Sequence, residues 1–215
     1  YRWFRMIDEF LLELLYFFCN RLNDAKIDYY VVGALGGYID CNLEITRKHD
    51  DIDIMILESD IDKLQDILKN SDYIFIDNRK HSYKILNNKG FTEGDEHEVY
   101  AQYKYNDFHI GFFMYSHTNE SYSIIEYFKE DGNQKKLIRT LPVRYVEYQY
   151  DNNYKTYKGI KLKTVRVECI YNNKKNMDRE KDKYDNSIFE KYIDNSIIKN
   201  MSGKSKYRIT KIETI

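Results

Sequence analysis

The sequence predicts an α+β fold, a mixed sheet flanked by helices with a helical segment towards the C-terminus, and three observations predict it. Apolar residues recur at helical spacing from Arg2 to Leu22. From Lys26 onward, β-branched and aromatic runs are punctuated by Asn, Gly and Asp turns, as in successive strands. Beyond Glu168 the chain becomes rich in Lys, Asn and Asp and regains helical spacing. With 215 residues, 42% of them hydrophobic, the chain can bury a real core. It reads as one domain over 1–215, with a core in residues 1–115 and a hairpin plus C-terminal helices in 116–215.

Each element follows from its residues. Phe4, Ile7, Leu11, Leu14, Leu15 and Phe18 make one helical stripe, which Asn23 and Asp24 break. "KIDYYVVGA" is a short buried strand stopping at Gly33, and "ALGGYIDCNL" a glycine-started turn and short helix. "DDIDIMIL" alternates as a second strand, and Ser59 with Asp62 resembles a capping box opening the helix that follows. "YIFID", "SYKIL", "HEVYAQYKY" and "DFHIGFFMY" are further strands, and Leu137–Val167 predicts a hairpin turning at Asp151, Asn152 and Asn153. "DREKDKYDNSIFEKYI" is helical through Tyr184, Ile188, Phe189 and Ile193, and the last dozen residues form an irregular or edge-strand tail. No internal repeat is visible.

Composition limits the function. The 34 basic and 35 acidic side chains leave a net charge of −1, which argues against coating nucleic acid. Cys19, Cys41 and Cys169 are widely spaced and odd in number, so neither a disulfide framework nor a cysteine zinc site is expected, and a reducing cytoplasm fits. "FLLELLYFF", Phe10 to Phe18, is too short to span a bilayer and carries Glu13. No signal-peptide pattern precedes it.

The chemistry concentrates in "TRKHDDIDIMI", Thr46 to Ile56. Side chains alternate along a strand, so Asp51 and Asp53 share one face while Ile52 and Ile54 enter the core. Two adjacent carboxylates repel and resist desolvation unless a divalent cation lies between them, and Mg²⁺ takes oxygens from one or two carboxylates plus substrate phosphates. A pair of aspartates at a strand start is also a common solvated feature. The upstream strand ending at Gly33 separates the two readings, because a turn without a side chain lets backbone N–H groups approach phosphate oxygens. Asp50, on the opposite face, reads as a solvated edge residue.

These residues carry a resemblance. A glycine turn after the first strand, then Asp51-Ile52-Asp53 on the next, resembles the nucleotidyltransferase fold of the DNA polymerase β superfamily. More narrowly, "TRKHDDIDI" is similar to the Arg-x-His-x-Asp-hydrophobic-Asp signature of the small lincosamide and aminoglycoside nucleotidyltransferases, falling on Arg47, His49, Asp51 and Asp53. "REKDKYD", Arg179 to Asp185, resembles the Arg-x-Lys-Asp-x-x-Asp segment opening a late helix in such enzymes. The resemblance implies metal-binding Asp51 and Asp53, nucleotide contacts at Gly33, Ala34, Arg47, His49 and Lys181, and a third carboxylate from a later strand. Family members show Gly-Gly or Gly-Ser at the turn. This chain has Gly33-Ala34 and Gly36-Gly37, of which Gly33 is favoured. In "NDFHIGFFMY", Asp107, His109 and Gly111 share a face, so the third position falls on any of them; His109 would serve as ligand or base, whereas Gly111 would leave the ligand absent. Glu96 and Glu98 are further candidates for a base.

The expected activity is metal-dependent transfer, with Mg²⁺ or Mn²⁺, of a nucleoside monophosphate from an NTP to a hydroxyl of a small acceptor such as an antibiotic, releasing pyrophosphate. A homodimer sharing the acceptor pocket is a further expectation from the superfamily. Two alternatives stand beside it. One is a non-catalytic nucleotide-binding or toxin–antitoxin module of the same fold. The other is a phosphocholine-type transferase, disfavoured because Arg47, Lys48 and His49 stand where those enzymes carry Ile-Pro-Trp.

Overall fold

A computed structural model describes residues 2–81, 86–87, 90–91, 99–143, 146, 149–175, 177–201 and 208–215. Helix α1 (Arg2–Asp24) leads into β1 (Tyr29–Val31), α2 (Gly33–Asp40) and β2 (Asp51–Leu57). A 3-10 turn (Glu58–Asp60), α3 (Ile61–Leu68), β3 (Tyr73–Asp77), β4 (Leu86–Asn87), β5 (Gly90–Phe91), β6 (Val99–Tyr103) and β7 (His109–His117) follow. The remainder comprises β8 (Ser121–Glu130), β9 (Asn133–Pro142), β10 (Lys155–Tyr157), β11 (Ile160–Leu162), α4 (Val167–Lys174), α5 (Glu180–Phe189), α6 (Asn195–Met201) and β12 (Arg208–Thr214). The mixed sheet runs β1-β2-β7-β8-β9-β12, with β6 also pairing β7 and carrying β3.

Strand β2 is second in this order, an interior strand next to β1. It pairs antiparallel with β1 and parallel with β7. Ile52, Ile54, Ile110 and Phe112 are fully buried, and Phe18 of α1 covers them, its ring 6.3 Å from that of Phe112. That apolar seal occupies one face of β2 and leaves the aspartate face to other partners. Among the described residues no helix is long and apolar enough to cross a membrane.

Two local expectations change. The longest hairpin is β8–β9, closed by Asp131 and Gly132 at φ of 51° and 81°, the paired left-handed geometry of a two-residue type I′ turn. Leu137 therefore pairs back to Glu126, and the later fold-back pivots at Lys158-Gly159 between β10 and β11 instead of at Asp151–Asn153. The Ser59/Asp62 capping box gives way to the 3-10 turn, and α3 starts after Asp60 without a side-chain cap. The C-terminal tail is an edge strand on β9. Most of "SYKIL", together with Glu96 and Glu98, lies outside the described residues.

Candidate active site

The geometry starts at the end of β1. Val31 pairs with Ile54, and the next amide, of Val32, donates to the backbone oxygen of Asp53 at 2.9 Å. The chain then turns into α2 through Gly33 at φ +64°, a conformation that favours glycine. A Cβ on Gly33 would lie 2.6 Å from Oδ2 of Asp53. The glycine turn, the start of α2 and the Asp53 carboxylate therefore share one small volume. The other pair does different work: a Cβ at Gly36 would strike the Val31 carbonyl oxygen, and one at Gly37 the Phe189 ring, both at 2.6 Å. They are packing glycines, and Ala34 is buried in the same helix.

The parallel register with β7 places His109 beside Asp51 and Gly111 beside Asp53. His109 and Gly111 thus share the aspartate face, as expected. Asp107 does not join them on the strand; it sits exposed in the turn before β7. Among the described residues no cluster of three or more His, Cys, Asp or Glu is poised to hold a metal. Asp51 and Asp53 make a carboxylate pair, a donor set of the kind that Mg²⁺ completes with substrate oxygens.

Asp50 is exposed and pairs with Lys48 at 2.7 Å. That bond, with the charges of Lys181 and Arg47, holds its carboxyl below the usual range. Lys181 is itself exposed on α5, with its charge felt at the start of β2.

Arg47 is tied to α5. Its Nε and Nη2 each bond a carboxylate oxygen of Asp185 at 2.8 Å, and Nη1 donates to the Lys48 carbonyl. Asp185 is fully buried, as is Asp182 one turn earlier. Lys174 bonds Asp182 and lies 3.2 Å from Asp185, while Arg179 bonds Asp182 at 2.6 Å. Burial acts to raise the Asp185 carboxyl, but the Arg47 and Lys174 contacts outweigh it and hold it below its ordinary value. Sequence reasoning held Asp185 only as the end of the late-helix motif and did not single out Lys174 or Tyr38, which contact it. The available signal was the stripe Asp182, Asp185 and Phe189, which puts two carboxylates on the face that buries the phenylalanine.

His49 is buried against the Tyr38 ring, and burial, with Arg47 and Lys174 nearby, pushes its pKa down to about 4. The folded form therefore holds a neutral ring. Its contribution to stability is complete above the unfolded pKa near 6.5 and is lost as pH falls towards 4, a decline of about 3 kcal/mol. Urea unfolding across this range, compared with His49→Gln, is expected to show a decline larger in the parent by about that amount. Equal acid sensitivity in both proteins would exclude a buried neutral His49.

The fold is of the nucleotidyltransferase type. Residues 14–102 match the family model of aminoglycoside-2''-adenylyltransferase. The solution structure of the antibiotic-resistance factor ANT(2'')-Ia is similar at TM-score 0.56 and 12% identity, covering 89% of each chain. The lincomycin-bound crystal structure of the lincosamide antibiotic adenylyltransferase LnuA is similar at TM-score 0.52 and 16% identity, covering 86% of this chain and 94% of that one. ANT(2'')-Ia in complex with adenylyl-2''-tobramycin gives TM-score 0.54 at 12% identity, covering 84% and 87%. A search of the curated proteins finds no match. In fold the chain resembles these antibiotic nucleotidyltransferases.

Proposed function

We propose that the protein transfers a nucleoside monophosphate from an NTP, with ATP as first choice, to a hydroxyl of a small acceptor such as an antibiotic, releasing pyrophosphate. The observation that carries this reading is the approach of the Gly33 turn to Asp53 on the face that Asp51 shares. Asp51 and Asp53 would hold the divalent cation, Mg²⁺ or Mn²⁺. Bound there, it would supply charge stabilisation to the attacking and leaving oxygens of an in-line displacement. Backbone N–H groups at the start of α2 offer phosphate oxygens their unpaired donors, and Gly33 keeps the approach free of a side chain. His109, beside Asp51, is the first candidate to take the acceptor proton. Lys181 supplies a positive charge near the mouth of the site. The adenylyltransferase family match and the tobramycin and lincomycin complexes of the structural neighbours support the choice of donor and acceptor. Three free cysteines support a reducing, cytoplasmic compartment.

One observation favours the binding-module alternative: the two positions beside Asp51 and Asp53 on β7 are His109 and Gly111, not carboxylates. Pyrophosphate release from each NTP with Mg²⁺, against aminoglycosides, lincosamides and simple polyols, separates the readings. Acceptor-dependent release that disappears in Asp51→Asn and Asp53→Asn is expected. Nucleotide binding by calorimetry without turnover on any acceptor would favour the binding module.

A further inference from the structure

The late helix α5 carries a charge cluster that the proposed reaction does not use, and its contacts run towards the site. Asp185 reaches two segments at once: the loop before β2, through two bonds to Arg47, and helix α2, through the Tyr38 hydroxyl at 3.2 Å. The same hydroxyl lies 2.9 Å from Thr46 Oγ1, joining α2 to the loop. Phe189, one turn further along α5, closes on Gly37 and on the Tyr38 ring, with ring centroids 5.2 Å apart. Thr46, Arg47 and His49 thus all meet the same patch, formed by Tyr38 of α2 and Asp185 of α5, within five residues of Asp51. Asp182 belongs to the same cluster, yet its bonds go to Lys174 and Arg179 and not to the loop.

We propose that Asp185 is a positioning residue, a latch that holds the Thr46–Asp50 loop on α2 and thereby sets Asp51 and Asp53 against the Gly33 turn. The proposal rests on the reading of that pair as the divalent-cation site. A bidentate bond to a guanidinium fixes direction as well as distance, which a lone ammonium does not. With Asp185 neutralised, the loop keeps its length but loses its tether, and the two carboxylates become less well placed for a shared cation.

The test compares the parent with Asp185→Asn, Arg47→Met, the double variant and Asp182→Asn. Mn²⁺ binding in the presence of ATP is followed by electron paramagnetic resonance, and amide exchange is followed over residues 46–53. Asp185→Asn and Arg47→Met are each expected to weaken Mn²⁺ binding tenfold or more and to speed exchange in that segment, with the double variant no worse than either. Asp182→Asn, which leaves both Arg47 bonds in place, is expected to lower the melting temperature with less than a threefold change in Mn²⁺ binding. Equal effects of Asp182→Asn and Asp185→Asn on binding and exchange would reduce Asp185 to a general stabilising role and overturn the proposal. Unchanged binding in Asp185→Asn would overturn it while leaving the functional reading intact. A parent that binds no Mn²⁺ with ATP would instead defeat the cation-site reading, and the latch with it.

Discussion

Gly33→Ala is expected to lose about 100-fold or more in nucleotidyl transfer while giving up only about 1 to 2 kcal/mol of stability. The backbone part of the cost is modest because an L-residue can occupy φ +64° at that strain. The functional part is large because the new methyl would lie 2.6 Å from Asp53 Oδ2, and the readiest relief is rotation of that carboxylate. Displacing a catalytic group by about 1 Å is enough to cost two orders of magnitude. Gly36→Ala and Gly37→Ala should divide the other way. Their methyl groups meet the Val31 carbonyl and the Phe189 ring, so stability falls and the surviving folded protein keeps its Asp53 geometry. Melting curves alongside steady-state rates for the three variants check this, and a Gly33→Ala enzyme with near-parental kcat/KM would remove Gly33 from the phosphate turn.

That contrast marks how far the sequence could be read. The alternation of Asp51, Ile52, Asp53 and Ile54 required one face to be apolar and the other charged, and the sheet obeys it because β2 has α1 behind its isoleucines. The end of β1 at Gly33 was equally legible. What escaped were relations between distant segments. Nothing local to "NDFHIGFFMY" states that His109 aligns with Asp51, because that register is fixed by a parallel crossover. The alternating residues of Leu137–Val167 suggested a partner within the stretch, whereas the Asp131-Gly132 turn, a strong hairpin signal, had already assigned Leu137 to β8. The motif around Asp182 left its role open. A run of Arg, Glu, Lys and Asp ordinarily marks a solvated helix face, and Glu180, Lys181 and Lys183 are exposed, but Asp182 and Asp185 turn inward to Arg179 of the same run and to Lys174 and Arg47 from elsewhere in the chain. Arg47, which the resemblance assigned to nucleotide contact, gives three of its N–H donors to Asp185 and the Lys48 carbonyl, a tie between distant segments that the sequence does not state.

Those inward aspartates set the second large effect. Lys174→Met should destabilise the protein by about 3 to 5 kcal/mol, the range for breaking a buried ion pair by removing one partner. The side chain of Lys174 is one-tenth exposed and serves both Asp182 and Asp185, so its loss leaves two fully buried carboxylates, one held by Arg179 and the other by Arg47 and the Tyr38 hydroxyl. Removing one of the stranded charges should restore part of the loss. Lys174→Met/Asp182→Asn is expected to be less destabilised than the sum of its single variants, with a coupling of about 1 to 3 kcal/mol. The pH dependence follows from the direction of the shifts. Both carboxyls are held below their ordinary values, so the stability they contribute is present above the unfolded pKa near 4 and is lost as pH falls through the folded values. Without Lys174 the two aspartates protonate more readily, and a neutral carboxyl has no need of the ammonium. The gap between Lys174→Met and parent should therefore narrow on acidification from pH 7 towards pH 4. Urea unfolding of the four proteins at both pH values decides the matter: additive losses, or a gap constant with pH, would mean that Lys174 acts through its packed methylene stem and not through its charge.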